Sequence, residues 1–251
     1  MSVIVGILSG KGGAAKTTTA LNLAAAFNHF GRDVVLVDGN LSTPNVGLHL
    51  GVPIVPINLH HVVKGMNHIT EAIYMHHSGL KFVPAGISIN DLSNTVPENM
   101  SKVLHGLHGL ADIVVVDGAP GLGREALSIM DSVDDLIIVT NPELPAITDA
   151  LKTIKFAENR GKQVKGVVIA KSGKNHDISL ANIQALLEKP ILAVIPEDYA
   201  IRESLVQKDA VIHTHPKSKS AIAYKKLAAD LIGMSYDVEY KESFWKKFFN
   251  R

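Results

Sequence analysis

The sequence VIVGILSGKGGAAKTTTALNLAAAF occupies residues 3–27 and decides the fold. Residues 3–8 form an apolar run that predicts a buried strand, and residues 20–27 read as a buried helix. The glycine-rich segment between them places small residues where a strand turns into a helix. Small residues let successive backbone N–H groups point at a polyphosphate lying on the helix N-terminus. The segment therefore predicts a phosphate-binding loop and, with it, a bound nucleotide.

The loop departs from the pattern G-x-x-x-x-G-K-[ST] at one position. Counted from Gly10, Ala15 stands where the second glycine is expected, directly before Lys16 and Thr17. Lys16 is expected to bridge the β- and γ-phosphates, and the Thr17 hydroxyl to complete a Mg²⁺ shell. If Ala15 needs a positive φ, its methyl group costs about 1–2 kcal/mol. The residues assigned to the nucleotide here are Gly10, Lys11, Gly12, Gly13, Ala14, Ala15, Lys16, Thr17 and Thr18.

Composition limits the classes of function that need consideration. The 251 residues carry a formal charge of +1, so no bulk attraction to nucleic acid or membrane is expected. The chain has no cysteine, which excludes disulfides and thiolate metal sites. No apolar stretch reaches the ~20 residues that span a membrane, and we expect no secretion signal. We expect a cytoplasmic protein with one domain over residues 1–233 and a charged tail over 234–251.

Short apolar runs recur between helical patterns and predict the fold class. Runs that are apolar on successive residues are typical of strands buried on both faces. We therefore expect a doubly wound α/β fold, in which helices cover both faces of a mostly parallel sheet. The predicted strands after the first are residues 34–37, 80–83, 113–116, 136–139, 167–169 and 191–195.

Two aspartates close predicted strands. Asp38 ends the second strand and Asp117 ends a central one, and polar groups gather at the carboxyl ends of strands in such sheets. Both are therefore expected to face the phosphate loop and to contact Mg²⁺ or its water, together with Thr17. A strand-end aspartate that only caps the next turn is the structural alternative.

The order and spacing of five motifs resemble the MinD/ParA family of P-loop NTPases, closest to the archaeal-type MinD group. The resemblance implies the SIMIBI class of fold, ATP and Mg²⁺ as ligands, and reversible dimerisation. In this family the first lysine of the loop, here Lys11, reaches the phosphates of the opposite subunit. The motifs are the loop at 10–18, residues 37–45 and 117–125 as switches I and II, residues 140–149 near the dimer interface, and residues 195–203 against the base.

The chain departs from the family pattern at two further positions. Asn40 stands where the family has the switch I aspartate that orients the attacking water, so slow hydrolysis is expected. Ala170 replaces an asparagine that reads the adenine edge, which weakens base recognition by about 1–3 kcal/mol. The resemblance places Ala170, Pro196, Glu197 and Asp198 around the base, and makes Lys11, Lys16 and Asn40 the residues that act on the phosphates.

The tail carries aromatic side chains beside basic ones. At 100° per residue Phe244 and Phe248 share one side, and this pattern with its basic neighbours suits an anionic lipid surface. It resembles the C-terminal membrane-targeting helix of MinD, and a helix packed on its own domain or on a partner is the alternative. The residues assigned to the membrane are Phe244, Trp245, Lys246, Lys247, Phe248 and Phe249.

The twelve histidines do not show the spacing of a zinc-binding helix. Adjacent histidines such as those at 60–61 and 76–77 are expected to point apart and to be solvated or to cap helices. No metal site is predicted from them.

The expected function is that of an ATP-driven positioning protein, found at the inner face of the cell membrane as a dimer and free as a monomer. Its expected partners are a second copy of itself, an anionic membrane and a regulatory or cargo protein. A DNA partition ATPase of the ParA type is the first alternative, although the near-neutral charge does not favour nucleic acid. A scaffold that binds nucleotide without hydrolysing it is the second, and Asn40 and Ala170 are its support. A metal-cluster carrier of this superfamily is disfavoured by the absence of cysteine.

Overall fold

The computed structural model describes residues 2–92, 97–173 and 178–236. Their centre is an eight-stranded sheet in the order β3-β4-β2-β5-β1-β6-β7-β8. Within these residues β3 and β4 pair antiparallel, and the other neighbouring strands pair parallel. The strands are β1 (Val3–Ser9), β2 (Val34–Asp38), β3 (Tyr74–Met75), β4 (Lys81–Val83), β5 (Ile113–Pro120), β6 (Asp135–Thr140), β7 (Gln163–Ser172) and β8 (Ile191–Pro196).

Helices cover both faces of this sheet, because its strands are apolar on successive residues. One layer consists of α1 (Lys16–His29), α2 (Val46–His49), α9 (Tyr199–Val206), α10 (Val211–Thr214) and α11 (Lys219–Leu231). The other layer consists of α3 (Leu59–Val63), α5 (Met100–His105), α6 (Arg124–Ser132), α7 (Leu144–Asn159) and α8 (Leu180–Leu187). The remaining pieces are a 3₁₀ turn at Ile69–Ala72, α4 (Ile89–Leu92) and a second 3₁₀ turn at Pro97–Asn99.

Alternate residues of each strand enter the two cores. In β1, Ile4 and Leu8 pack with the layer that contains α6 and α7, whereas Val5 and Ile7 pack with the layer that contains α1. Helix α1 lies between the sheet and α11, so its segment from Ala20 to Phe27 is buried all round. The Thr19 hydroxyl of α1 also lies 3.2 Å from the Tyr224 hydroxyl of α11. This double burial explains why α1 lacks a polar face.

The predicted doubly wound α/β fold is confirmed. Each of the seven predicted runs lies in a strand, with differences only at their ends. The prediction missed β3, because two residues are too short to show an alternating pattern. No helix among the described residues is long and apolar enough to cross a membrane. The tail residues 237–251 lie outside the described residues.

Candidate nucleotide-binding site

The loop between β1 and α1 has the backbone of a phosphate cradle. Ala15 takes φ 71° and ψ 30° at the N-cap of α1, which is the left-handed conformation that the sequence analysis allowed for. Gly13 has φ 76° and open space around it. Gly10 is fixed by close approach, because an added Cβ would lie 2.5 Å from the backbone of Asp149. The loop therefore turns tightly against α7 and leaves the N-terminus of α1 facing outward.

A cleft of about 510 Å³ lies above this loop, at the carboxyl ends of the strands. This edge is where open α/β sheets bind ligands. Lys16 lines the cleft and is only 8% exposed, at the start of α1. The other lining residues that the sequence analysis named are Gly12, Gly13, Ala15, Thr17, Thr18, Asn40, Ala170, Pro196, Glu197 and Asp198.

Thr17 lines the cleft, and together with the buried Asp117 it forms a pair that fits a magnesium ion. The Thr17 hydroxyl donates to Asp117 Oδ2 at 2.5 Å, although the two residues lie on different elements. The second oxygen, Asp117 Oδ1, is buried and has no hydrogen-bond partner among the described residues. A hydroxyl and an unpaired carboxylate oxygen are hard donors of the kind Mg²⁺ prefers. These two residues could therefore hold a nucleotide-bound Mg²⁺.

Asp38 is fully buried and organises the following loop. Its Oδ2 accepts the backbone N–H groups of Asn45 and Val46, each at 2.9 Å. Its Oδ1 accepts the N–H of Asn40 at 3.4 Å. Asp38 also pairs in register with Asp117 on the neighbouring strand. The carboxylate thus ties residues 40–46 to the sheet, and a contact to Mg²⁺ stays a proposal.

The two buried carboxyls resist ionisation in the metal-free protein. Burial raises the pKa of Asp117 to about 6, while the Lys16 ammonium and the Thr17 hydroxyl act in the opposite direction. The pKa of Asp38 rises well above its usual range, first through burial and then through the charge of Asp117. Ionisation of Asp117 therefore destabilises the folded protein. This destabilisation is absent below the pKa that Asp117 has in the unfolded chain, and it is complete once the pH exceeds about 6.

We expect Asp117→Asn to stabilise the metal-free protein near neutral pH by about 2–3 kcal/mol, because a shift of about two pKa units is removed. Urea unfolding in EDTA should show this gain, and it should vanish near pH 4. Asp230→Asn on the exposed face of α11 is the control and should change the unfolding free energy by less than about 0.5 kcal/mol. Equal stability of wild type and Asp117→Asn at neutral pH would contradict this assignment.

Asn40 is buried, and its amide is engaged within its own loop. Asn40 Nδ2 donates to the carbonyl of Thr43 at 2.6 Å and to its hydroxyl oxygen at 2.9 Å. The carbonyl oxygen of Asn40 accepts the Thr43 N–H at 3.3 Å. These contacts hold the side chain at the border of the cleft. An aspartate here could not donate to the Thr43 carbonyl.

The loops after β2 and β5 are joined to each other. The Ser42 backbone N–H donates to Glu125 Oε2 at 3.2 Å, and the Ser42 hydroxyl donates to Glu125 Oε1. Arg124, the preceding residue, donates to Glu98 at 2.8 Å. The two switch segments that the resemblance indicated are therefore in direct contact.

Lys11 does not line the cleft of its own chain. Its ammonium donates to Glu143 Oε2 at 3.1 Å, and 35% of the Lys11 side chain is exposed. Glu143 is the N-cap residue of α7 and belongs to the segment 140–149. The two lysines of the loop therefore differ, because Lys16 lies in the cleft and Lys11 lies on the surface.

Lys171, which the sequence analysis did not assign, lines the cleft beside Ala170. Lys171 has φ 55°, and its ammonium donates to the Gly13 carbonyl at 2.8 Å, so it bridges β7 and the loop. Beside it, the Ala170 carbonyl accepts from Asn141 Nδ2 at 3.1 Å. The position of Lys171 directly after Ala170, which the resemblance places beside the base, was the available signal.

The segment after β8 borders the same end of the cleft. Asp198 caps α9 by accepting the Ala200 N–H at 3.0 Å, and its second oxygen accepts from the Ser220 N–H and hydroxyl. Its carboxylate is therefore used to join α9 to α11. Glu197 remains exposed, and its Oε1 atom lies 4.0 Å from Arg202 Nη2. The membrane-assigned residues 244–249 lie outside the described residues.

Comparisons with known proteins agree with this geometry. The ParA family model, described as the NUBPL iron-transfer P-loop NTPase, matches residues 1–232. An uncharacterised ATP-binding protein of Methanocaldococcus jannaschii is 35% identical over 252 residues, which cover 99% of this chain and 96% of that protein.

Solved structures of MinD are also similar. The septum site-determining protein MinD of Pyrococcus horikoshii, complexed with Mg-ADP, is 36% identical with a TM-score of 0.88, covering 92% of this chain and 96% of its own. The cell division ATPase MinD of Pyrococcus furiosus is 34% identical with a TM-score of 0.89, covering 94% of this chain and 100% of its own. The phosphate loop, the sheet order and these matches together show that the chain belongs to the ParA/MinD family of P-loop ATPases.

Proposed function

We propose that this protein is a MinD-like, ATP-driven spatial switch. MgATP binds in the cleft and joins two copies, the dimer attaches reversibly to the inner face of the membrane, and hydrolysis returns the monomer. The family assignment supports nucleotide binding, and the Mg-ADP complex of the Pyrococcus horikoshii protein supports the choice of ligand. The absence of cysteine argues against a thiolate-bound cluster as cargo.

The position of Lys11 is the observation that carries the proposal. Lys16 already supplies an ammonium inside the cleft, so the loop does not need a second one for its own nucleotide. Lys11 instead lies on the surface beside Glu143, in an exposed ion pair worth about 0–1 kcal/mol. A polyphosphate offered by a second copy can outcompete such a pair. Lys11 then acts as a trans cation on the partner's phosphates, as an arginine finger does.

Within each copy, the chemistry falls to residues of the cleft. The Lys16 ammonium and the amides at the start of α1 hold the β- and γ-phosphates, and Thr17 with Asp117 holds Mg²⁺, which neutralises the charge that develops on the phosphates. Asn40 can orient a water molecule by hydrogen bonding but carries no charge to polarise it. We therefore propose that the dimer is long-lived because hydrolysis is slow.

The membrane part of the proposal rests on the sequence of the tail. One amphipathic segment with a few aromatic and basic residues binds anionic lipid only weakly and reversibly. Two copies presented by one dimer bind much more tightly, because the second attachment becomes intramolecular. Attachment therefore follows the nucleotide state.

Co-sedimentation with anionic vesicles tests this function. The full chain is expected to sediment with MgATP and to stay in the supernatant with MgADP or without nucleotide, and salt should weaken sedimentation. Phe244→Asp/Phe248→Asp and a truncation after Glu239 should both abolish it. The control is Ile54→Asp, which changes an apolar side chain that is 79% exposed elsewhere on the surface. Equal sedimentation in all nucleotide states, or of the truncated chain, would contradict the proposal.

A non-hydrolysing scaffold is the second candidate, and the engaged Asn40 amide favours it. In this case nucleotide serves as a dimerisation ligand alone. The ParA-type DNA partition ATPase remains the third candidate, and salt-sensitive binding to duplex DNA in the vesicle buffer would favour it.

A further inference from the structure

A cluster of imidazole and carboxylate groups lies away from the nucleotide cleft. His76 and His77 follow β3, Asp209 precedes α10, and His213 lies within α10. The turn 76–80 joins β3 to the first residue of β4, so it is at the amino end of a strand, whereas the phosphate loop follows the carboxyl end of β1. The cluster is therefore separate from the site described above.

The expectation that His76 and His77 point apart is wrong. Their ring centroids are 3.9 Å apart. Residues 76–80 form a turn, closed by the Gly79 N–H on the His76 carbonyl at 2.9 Å, and in a turn neighbouring side chains need not alternate as they do in a strand. The turn thus brings both rings to the same side.

The two oxygens of Asp209 face the two rings. His76 Nδ1 lies 3.8 Å from Asp209 Oδ1, and His77 Nε2 lies 3.6 Å from Asp209 Oδ2. One donor atom from each of the three residues lies within 4.8 Å of the others. Ligands on a tetrahedral Zn²⁺ are about 3.3–3.5 Å apart, given metal–ligand bonds of about 2.0–2.1 Å. The separations would have to shorten by up to about 1.4 Å to reach that geometry, and His77 can move toward the other two ligands because its side chain is 71% exposed.

The His76 ring is held with its Nδ1 atom toward Asp209, and its side chain is only 3% exposed. Nδ1 accepts the Ser78 N–H at 3.4 Å, so it carries the lone pair that a metal needs. Nδ1 also lies 2.8 Å from the Ser78 hydroxyl, and a metal would replace both contacts.

Two further hydrogen bonds hold the Asp209 carboxylate in place. Asp209 Oδ1 accepts from His213 Nδ1 at 2.8 Å and from the Ala210 N–H at 2.7 Å. Groups of this kind orient metal ligands in proteins. We propose that His76, His77 and Asp209 bind one divalent first-row transition-metal ion of the Zn²⁺ type, and that His213 holds the Asp209 carboxylate in place. Imidazole nitrogens select such an ion over Mg²⁺.

The position of the ion gives it a structural role in the helical layer beside the cleft. It joins the sheet-edge turn to Asp209, and two residues later the Val211 N–H donates to Asn22 of α1 at 2.7 Å. Asn22 in turn donates to the Thr18 carbonyl at the start of the same helix. Metal binding therefore braces the element that follows α9 against the helix that carries the phosphate loop.

Calorimetry with ZnCl₂ tests the site in the full chain, with any affinity tag removed and Mg²⁺ in excess. We expect one Zn²⁺ per chain, and we expect His77→Ala to weaken binding by at least about 100-fold, since loss of even an outer contact costs about 10–100-fold. Co²⁺ should give a visible absorption spectrum that His77→Ala removes. Because His77 is exposed, the variant should fold, and its metal-free melting temperature should match wild type.

The matched control is His105→Ala/His108→Ala, which removes another exposed histidine pair with ring centroids 5.4 Å apart. This variant should bind Zn²⁺ as wild type does. Absence of saturable binding, unchanged binding by His77→Ala, or equal loss in the control variant would each overturn the proposal.

Discussion

Replacing Asn40 by aspartate is expected to raise the rate of ATP turnover by about 10²-fold or more, since a positioned general base contributes about 10²–10⁴-fold. The new carboxylate can polarise the attacking water. It also cannot donate to the Thr43 carbonyl, which lies 2.6 Å from Asn40 Nδ2, so repulsion turns the side chain away from Thr43. The rate should be measured at saturating MgATP, because an added charge near the phosphates can also change KM.

Asn45→Asp is the matched control for this change. Asn45 lies in the same loop, borders the same cleft, and donates through Nδ2 to the same Thr43 carbonyl at 2.7 Å. The Asn45→Asp variant makes the identical change from amide to carboxylate, and we expect its rate of ATP turnover to stay within about threefold of wild type. If both variants accelerate equally, release of the loop and not a base at position 40 is the cause. An unchanged rate in Asn40→Asp would contradict the switch I assignment.

The second large effect is expected from Lys16→Ala, which should weaken MgATP binding by about 10²–10³-fold. Its ammonium lies in the cleft with little access to water, and each hydrogen bond to a charged group contributes about 1.5–3 kcal/mol. Two such hydrogen bonds to the phosphates, at about 1.5–2 kcal/mol each, account for this range. Titration with a fluorescent ATP analogue measures the dissociation constant, and the melting temperature confirms that the variant folds.

Lys171→Ala is the control that distinguishes a specific contact of Lys16 with the phosphates from the general electrostatic potential of the cleft. Lys171 also lines the cleft, but its ammonium is bound to the Gly13 carbonyl. Its loss should weaken binding by less than about fivefold, which is the size of an exposed charge effect. Equal losses in Lys16→Ala and Lys171→Ala would show that cleft charge, and not a specific phosphate contact, sets the affinity.

The fold followed from local patterns. The apolar runs and the turn into α1 are each determined within about ten residues, and the strand order places their carboxyl ends together. The meeting of Thr17 with Asp117 could therefore be expected, although the two residues are one hundred positions apart. Ala15 also follows this logic, because its positive φ is the one a glycine would normally take at that position.

Other side-chain contacts between residues that lie far apart in the sequence could not be predicted. The Lys11 ammonium contacts Glu143, which lies 132 residues later in the sequence, and no sequence periodicity indicates that pair. The link from Lys171 to Gly13 depends on a left-handed residue at the end of β7. The meeting of His77 with Asp209 needs a turn whose side chains do not alternate. Such contacts are set by the packing of distant elements, which sequence spacing does not encode.

Light scattering of the wild type and of Lys11→Ala in MgATP tests whether Lys11 completes the site of a second copy. Wild type is expected at a mass near twice 26.9 kDa with MgATP and at the monomer mass without nucleotide. Lys11→Ala should bind the nucleotide normally and remain a monomer, whereas the surface control Lys155→Ala, which pairs with Glu188 at the end of α8, should dimerise. A Lys11→Ala protein that dimerises with MgATP, or a wild-type dimer that forms without nucleotide, would show that Lys11 does not act on the partner's nucleotide.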